Sequence, residues 1–113
     1  MSNMGWIGVD LDGTIAEYGE WIGPNHIGNP VPLMVDRVKA WIKSGWTVKI
    51  VTARVYREGP RSKVREAIDS WCLEHIGQVL EVTCEKDYDM VELWDDRAVQ
   101  VVKNTGVRAD GLP

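Results

Sequence analysis

Cysteine is scarce in this chain. Its two residues, Cys72 and Cys84, are too few and too unevenly placed for a disulfide framework or a cysteine zinc site. Cys72 reads as a core thiol in a reducing compartment, and Cys84 is left unassigned. Positive charge is also short. Thirteen Lys and Arg against seventeen Asp and Glu give a formal net charge of -4. That removes the basic field that non-specific nucleic-acid binding needs and leaves nucleic acid only as a substrate. No run approaches the roughly 20 apolar residues that span a bilayer, so no membrane partner is expected. Residues 1–5 lack the basic start of a secretory signal, and the apolar run after them stops at Asp10, which predicts a cytoplasmic protein. Internal repeats and low-complexity tracts are absent. A length of 113 residues matches one domain with one core and leaves no room for a second.

What is present is organised around Asp10-Leu11-Asp12-Gly13-Thr14, directly after the apolar run Trp6-Ile7-Gly8-Val9. The run reads as a buried strand that ends where the carboxylates begin. Asp-Gly also serves as an ordinary turn. Two acids at the carboxyl end of a core strand, however, occupy the place where open parallel sheets bind ligands. Desolvating them is costly unless a cation or partner offsets it.

Residues 15–30 lose periodicity and collect Gly19, Gly23, Pro24, Gly28, Asn29 and Pro30, the signature of a loop or small hairpin. It is long for a connection and leaves the acidic end of the strand, so it is a candidate lid, with Tyr18, Trp21 and His26 able to reach a ligand. Alternatively, Trp21 and Ile22 only pin the loop to the body. From Val31 the pattern turns helical, with Met34, Val35, Val38, Trp41 and Ile42 on one face, Pro32 in the first turn and Gly45 as a stop. Residues 47–51 form a second strand ending at Thr52. A second amphipathic helix is predicted over 61–75, terminated by Gly77. Residues 79–83 and 91–94 give a third and a fourth strand, and 98–102 a fifth. This alternation implies a mainly parallel α/β sheet with right-handed crossovers. The tail after Asn104 is expected to fray.

Four polar clusters follow or neighbour strand ends: Asp10 with Asp12, Thr52, Lys86, and Asp95 with Asp96. Parallel strands would bring them to one edge. In this order the clusters resemble the four motifs of the haloacid dehalogenase superfamily, over about residues 6–102. The Asp10 to Thr14 stretch is the specific element, whereas Thr52 and Lys86 are individually weak signals. The resemblance implies a single domain over residues 1–113 with a core at about 6–103. The implied architecture is a three-layer Rossmann-like fold with a five-stranded, mainly parallel sheet and no separate cap domain, because the gaps between motifs are too short for one.

It also implies a chemistry. Phosphate monoesters hydrolyse so slowly that enhancements reach about 10²¹, and passing through a covalent intermediate divides the barrier. By resemblance Asp10 is the nucleophile, and Asp12 is the general acid and then the general base. That division requires Asp12 to keep a proton while Asp10 is ionised. Magnesium is the implied cation, held by the Asp10 carboxylate, the Asp12 backbone carbonyl and the Asp95 carboxylate, with Asp96 as a ligand or a support for one. Thr52 would donate to a phosphoryl oxygen, and Lys86 would bridge phosphate and Asp10. The backbone N–H groups of Leu11 and Ala53 are further candidate donors. Arg54, nearest Thr52, is the candidate arginine for substrate, while Arg57 and Arg61 read as surface residues and Arg97 as a partner for Asp96.

Asp12 separates phosphate-ester hydrolases of this superfamily from relatives with another residue at that place. The expected protein is therefore a capless magnesium-dependent phosphatase acting on a phosphorylated substrate, possible classes being phosphorylated nucleic-acid ends and proteins. Loop 15–30 or a second subunit of a homodimer would supply a missing lid. A non-catalytic phospho-ligand or partner-binding module is the alternative. A receiver-like phosphoacceptor domain fits less well, because its phosphoacceptor belongs on a later strand than its first acidic pair.

Overall fold

A computed structural model describes residues 5–113. Its strands are β1 (Trp6–Asp10), β2 (Thr47–Val51), β3 (Glu81–Thr83) and β4 (Met90–Trp94), all parallel, in the spatial order β3-β2-β1-β4. Helix α1 (Pro32–Lys43) joins β1 to β2, and α2 (Lys63–His75) joins β2 to β3. The alternation of elements thus gives an α/β fold with a parallel sheet. No helix among the described residues is long and apolar enough to cross a membrane.

β1 lies inside the sheet, and its first four residues are buried whichever face they point to, which is why it reads as continuously apolar. Ile7 and Val9 share one face with Val48, Ile50 and Val82, in register across three strands. Against that face α1 packs Met34, Val35 and Val38, and α2 packs Ile68, Trp71 and Cys72. Trp6 closes the opposite face, with Lys49 Nζ 4.5 Å from its ring and its indole N–H donating to Asp87 at 2.8 Å. Both helices therefore cover the same face, a correction to the three layers expected. The cause is topological: β1, β2 and β3 advance in one direction across the sheet, and two right-handed crossovers running the same way fall on the same side.

Helix boundaries follow their signals. Pro32 begins α1, and Gly45 follows its end with φ +94°. α2 starts two residues later than predicted because the Ser62 side chain accepts from the Arg65 N–H at 3.1 Å, fixing Ser62 as the N-cap.

The fifth strand is not formed. Residues 98–102 turn back on the tail: Val102 N–H donates to the Val107 carbonyl at 2.7 Å, and Ala109 N–H to the Gln100 carbonyl at 2.9 Å. Asn104 and Gly106 make the reversal at positive φ. The tail expected to fray instead folds back in this turn, with a local Arg108–Asp110 ion pair at 2.8 Å inside it. Its valines meet local partners, and a short loop closes at less entropic cost than a return to the sheet.

Parallel pairing decides where the polar residues go. Asp10 is level with Val51, Val51 with Thr83, and Val9 with Trp94. The next residues along, Thr52, Cys84 and Asp95, thus stand beside Asp10 on one edge. The chain proceeds from β1 to β2 and β3 on one side and places β4 on the other. The edge between β1 and β4 is therefore a topological switch point, where such sheets form a crevice.

Candidate active site

Asp10, Asp95 and Asp96 converge at this crevice, each offering a carboxylate oxygen within 4.8 Å of the others. Asp10 ends β1, and Asp95 and Asp96 follow β4. Asp95 Oδ1 also accepts from the N–H groups of Arg97 at 2.7 Å and Ala98 at 3.2 Å, which shapes the loop after β4. Three carboxylates this close repel one another. Burial, a carboxyl hydrogen bond with Asp96 and the charge of Asp95 push the Asp10 carboxyl up to about 7, against a smaller opposing pull from the Thr14 hydroxyl. The upward shift thus falls on the expected nucleophile. A set of hard oxygen donors crowded until one resists ionisation fits a hard divalent cation such as magnesium.

Two small residues of the first motif hold the loops together. Thr14 Oγ1 lies 3.2 Å from Asp10 Oδ2 and accepts the Asp96 backbone N–H at 3.1 Å, so one hydroxyl fastens the β1 loop to the β4 loop. Gly13 has φ +89°, and a methyl group there would sit 2.6 Å from Asp96 Oδ2. Both conformation and clearance require glycine. Neither role was assigned from sequence, although both residues belong to the motif. The missing information was which loop would lie opposite them.

Asp12 has a different neighbour. Arg54 donates through Nε to Oδ2 and through Nη2 to Oδ1, each at 2.8 Å, a two-point pairing in which the arginine side chain is only 6% exposed. Its remaining nitrogen donates to the Pro24 carbonyl at 3.0 Å, and its guanidinium lies over the Trp21 ring at 4.9 Å. Arg54, proposed from sequence as a substrate arginine, thus ties Asp12 to the middle of loop 15–30.

That loop is anchored at both ends. Ile15 and Ala16 are fully buried, Ala16 bridges Pro30, and Glu17 N–H donates to the Asn29 carbonyl at 2.8 Å. Its centre stays out of the core. Trp21 and Ile22 are exposed and stay out of the core; among the described residues Trp21 meets the body through the Arg54 guanidinium, and Ile22 does not join the core cluster. Tyr18 and Trp21 line the cavity of about 950 Å³ that contains the acids. His26, also named as a ligand candidate, lines a neighbouring cavity with Asp12 and Arg54.

Thr52 and Ala53 both line the acid cavity, and Thr52 is buried. Thr52 Oγ1 accepts the Arg54 N–H at 3.2 Å, capping the single 3-10 turn Ala53–Val55, and its own proton stays available to donate. Leu11 places its side chain in the core, and its carbonyl accepts from Ala16 N–H at 2.9 Å. Lys86 is not brought to the acids. It is exposed and lines a separate cavity with Trp6, Lys49 and Asp87. Arg97 does line the acid cavity, while no ion pair joins it to Asp96 among the described residues. Cys84 stands on the rim, a position that its sequence context did not reveal.

No protein-family model matches the chain, and no curated protein matches it. Among solved structures it is similar to one described as a conserved protein coded by a locus from Bacteroides thetaiotaomicron. The match has 23% identity and a TM-score of 0.58 and covers 98% of this chain and 83% of the other. At that identity the likeness shows the fold alone.

Proposed function

We propose that the chain is a magnesium-dependent phosphatase of the haloacid dehalogenase kind, hydrolysing a phosphate monoester through an aspartyl-phosphate. The observation that carries this reading is the meeting of Asp10, Asp95 and Asp96 at the switch point, from opposite ends of the sequence. Asp10, Asp95 and Asp96 would hold magnesium through their carboxylates and Asp12 through its backbone carbonyl. When bound, the ion supplies positive charge that offsets repulsion between an attacking carboxylate and phosphoryl oxygens.

In the first step an Asp10 oxygen forms a bond to phosphorus as the ester P–O bond breaks, and the departing alkoxide takes a proton from Asp12. In the second, Asp12 takes a proton from water, whose oxygen bonds to phosphorus. The acyl-phosphate P–O bond breaks, and inorganic phosphate leaves with Asp10 restored. Thr52 orients a phosphoryl oxygen through its free proton. For Asp12 to act, Arg54 must release it, and the substrate phosphate is a competing anion for that guanidinium. Lys86 belongs to this scheme by resemblance alone; its place in another cavity favours Arg97 as the second cation beside the substrate.

Turnover of an aryl phosphate with magnesium tests the reading. Activity is expected to vanish in Asp10→Asn and on chelation, and turnover that survives either change overturns it. The grip of Arg54 on both Asp12 oxygens favours a second reading, a phospho-ligand binding module without catalysis. Tight binding with no turnover across a broad ester panel would decide for that module.

A further inference from the structure

The chain contains six tryptophans. Trp6 and Trp71 are buried, and Trp41, Trp46 and Trp94 are partly buried against the core. Trp21 is the exception at 56% exposed, and it lies on the rim of the cavity that holds the acids. Two further aromatic rings share that rim, Tyr18 at 49% exposed and Tyr56 at 61%. Leaving three large rings in water costs folding stability that burial would have supplied. Their grouping around one polar site calls for a ligand with a flat apolar face.

Trp21 is also held in place. The Arg54 guanidinium lies over its ring at 4.9 Å, and Arg54 is itself fixed by Asp12 and the Pro24 carbonyl. An indole backed by a fixed cation and half open to the cavity is a platform ordered before any ligand arrives, so little entropy is lost when a ring stacks on it. The rest of the cavity limits the ligand's size and charge. A net charge of -4 disfavours a polyanionic strand, while Arg97, in no ion pair among the described residues, and the proposed magnesium give the cavity positive charge for a single phosphate. A volume of about 950 Å³ suits a small molecule.

We propose that the substrate is a single nucleoside monophosphate, its phosphate ester facing Asp10 and its base stacked on the aromatic rim led by Trp21. This rests on the phosphatase reading above and adds the base contact to it. A sugar phosphate presents no planar aromatic face to the rim, and an oligonucleotide end brings charge that the surface does not match.

The experiment compares adenosine and uridine 5'-monophosphates, ribose 5-phosphate, a phosphotyrosine peptide and a 3'-phosphorylated oligonucleotide, using the full chain with magnesium. Trp21→Leu and Trp21→Phe are measured beside the wild type. Stacking one base predicts a preference in kcat/KM of about tenfold or more for a nucleotide over ribose 5-phosphate. The preference should sit in KM, shrink toward one in Trp21→Leu and return in Trp21→Phe. Equal use of ribose 5-phosphate, a preference that Trp21→Leu leaves intact, or better turnover of the peptide or oligonucleotide overturns the inference. If no ester is turned over, the phosphatase reading fails by itself, and calorimetry decides the base contact. Tighter binding of the nucleotide than of ribose 5-phosphate, lost in Trp21→Leu, upholds it, and equal binding removes it.

Discussion

Arg54 and Asp12 face each other through two hydrogen bonds of 2.8 Å, with the carboxylate 24% exposed and the arginine nearly covered. The pair is the hinge pin between the catalytic edge and loop 15–30, because the same guanidinium reaches Pro24 and Trp21. Removing one partner of a mostly buried pair leaves an uncompensated charge. Arg54→Met is therefore expected to cost about 3 kcal/mol of stability, read as a lower urea midpoint. Arg54→Lys keeps the charge but not the fork, and should recover only part of that loss.

Asp10 gives the metal-free protein an unusual pH dependence. Its carboxyl rises from 3.8 to about 7, so between those values the folded protein keeps a proton that the unfolded chain has released. The associated stability is fully present below 3.8 and is lost as pH rises through about 7. Without metal, the urea midpoint should fall between about pH 5 and about pH 8, by less than the full shift would give, because the group is only half-buried. Asp10→Asn should flatten the slope, and millimolar magnesium should raise the midpoint at the alkaline end. A midpoint that climbs over that window in wild type and variant alike would show that the three acids do not repel in solution.

Gly13 is constrained twice, by its positive φ and by the Asp96 oxygen in the path of any side chain. Gly13→Ala should destabilise by about 1 kcal/mol or more. It should also weaken magnesium binding measured by calorimetry, since relieving the contact moves Asp96. Gly59→Ala, where a methyl group meets no atom within 4 Å, is the matched control.

The parts of the fold written in strong local periodicity were legible from the residues: β1, β2, α1 and the stops at Gly45 and Gly77 lie where the pattern puts them, and α2 differs only in a start two residues later. Parallel pairing then brought Asp10, Thr52 and Asp95 to one edge without further information. Legibility failed where a residue's partner is remote. The valines of 98–102 have strand composition, yet Val101 pairs with Arg108 in a local turn. Nothing near Arg54 in sequence announces that its fork closes on Asp12, forty-two residues away. Lys86 lies three residues beyond β3, and a segment without regular structure carries no periodicity to say which way it leaves the edge.

Lys86 makes that difference measurable. It is exposed in a cavity apart from the acids, so Lys86→Ala should leave aryl phosphate turnover within about twofold, the usual scale of a surface substitution. Arg97→Ala, which removes a cation from the acid cavity, should raise KM by about tenfold, the scale of one lost charge-assisted hydrogen bond. A large loss in Lys86→Ala with none in Arg97→Ala would place the lysine at the phosphate after all.

The two thiols offer a test of the cavity that does not depend on turnover. Cys72 is fully enclosed between α2 and the sheet, and burial pushes its thiol up to about 12, so it carries almost no thiolate at neutral pH. Cys84 is exposed on the rim that Asp10, Thr52 and Trp21 also line. A thiol-reactive dye should therefore titrate one cysteine in the native protein and two in denaturant, and Cys84→Ser should abolish the native reaction. Because Cys84 follows β3 at the same edge as Thr52, a bulky maleimide placed there would protrude into the cavity. It should block phosphate-ester binding, while a small methylthio group at the same sulfur should permit it. If both adducts bind ester as well as the unmodified chain does, the cavity wall at β3 is not part of the site.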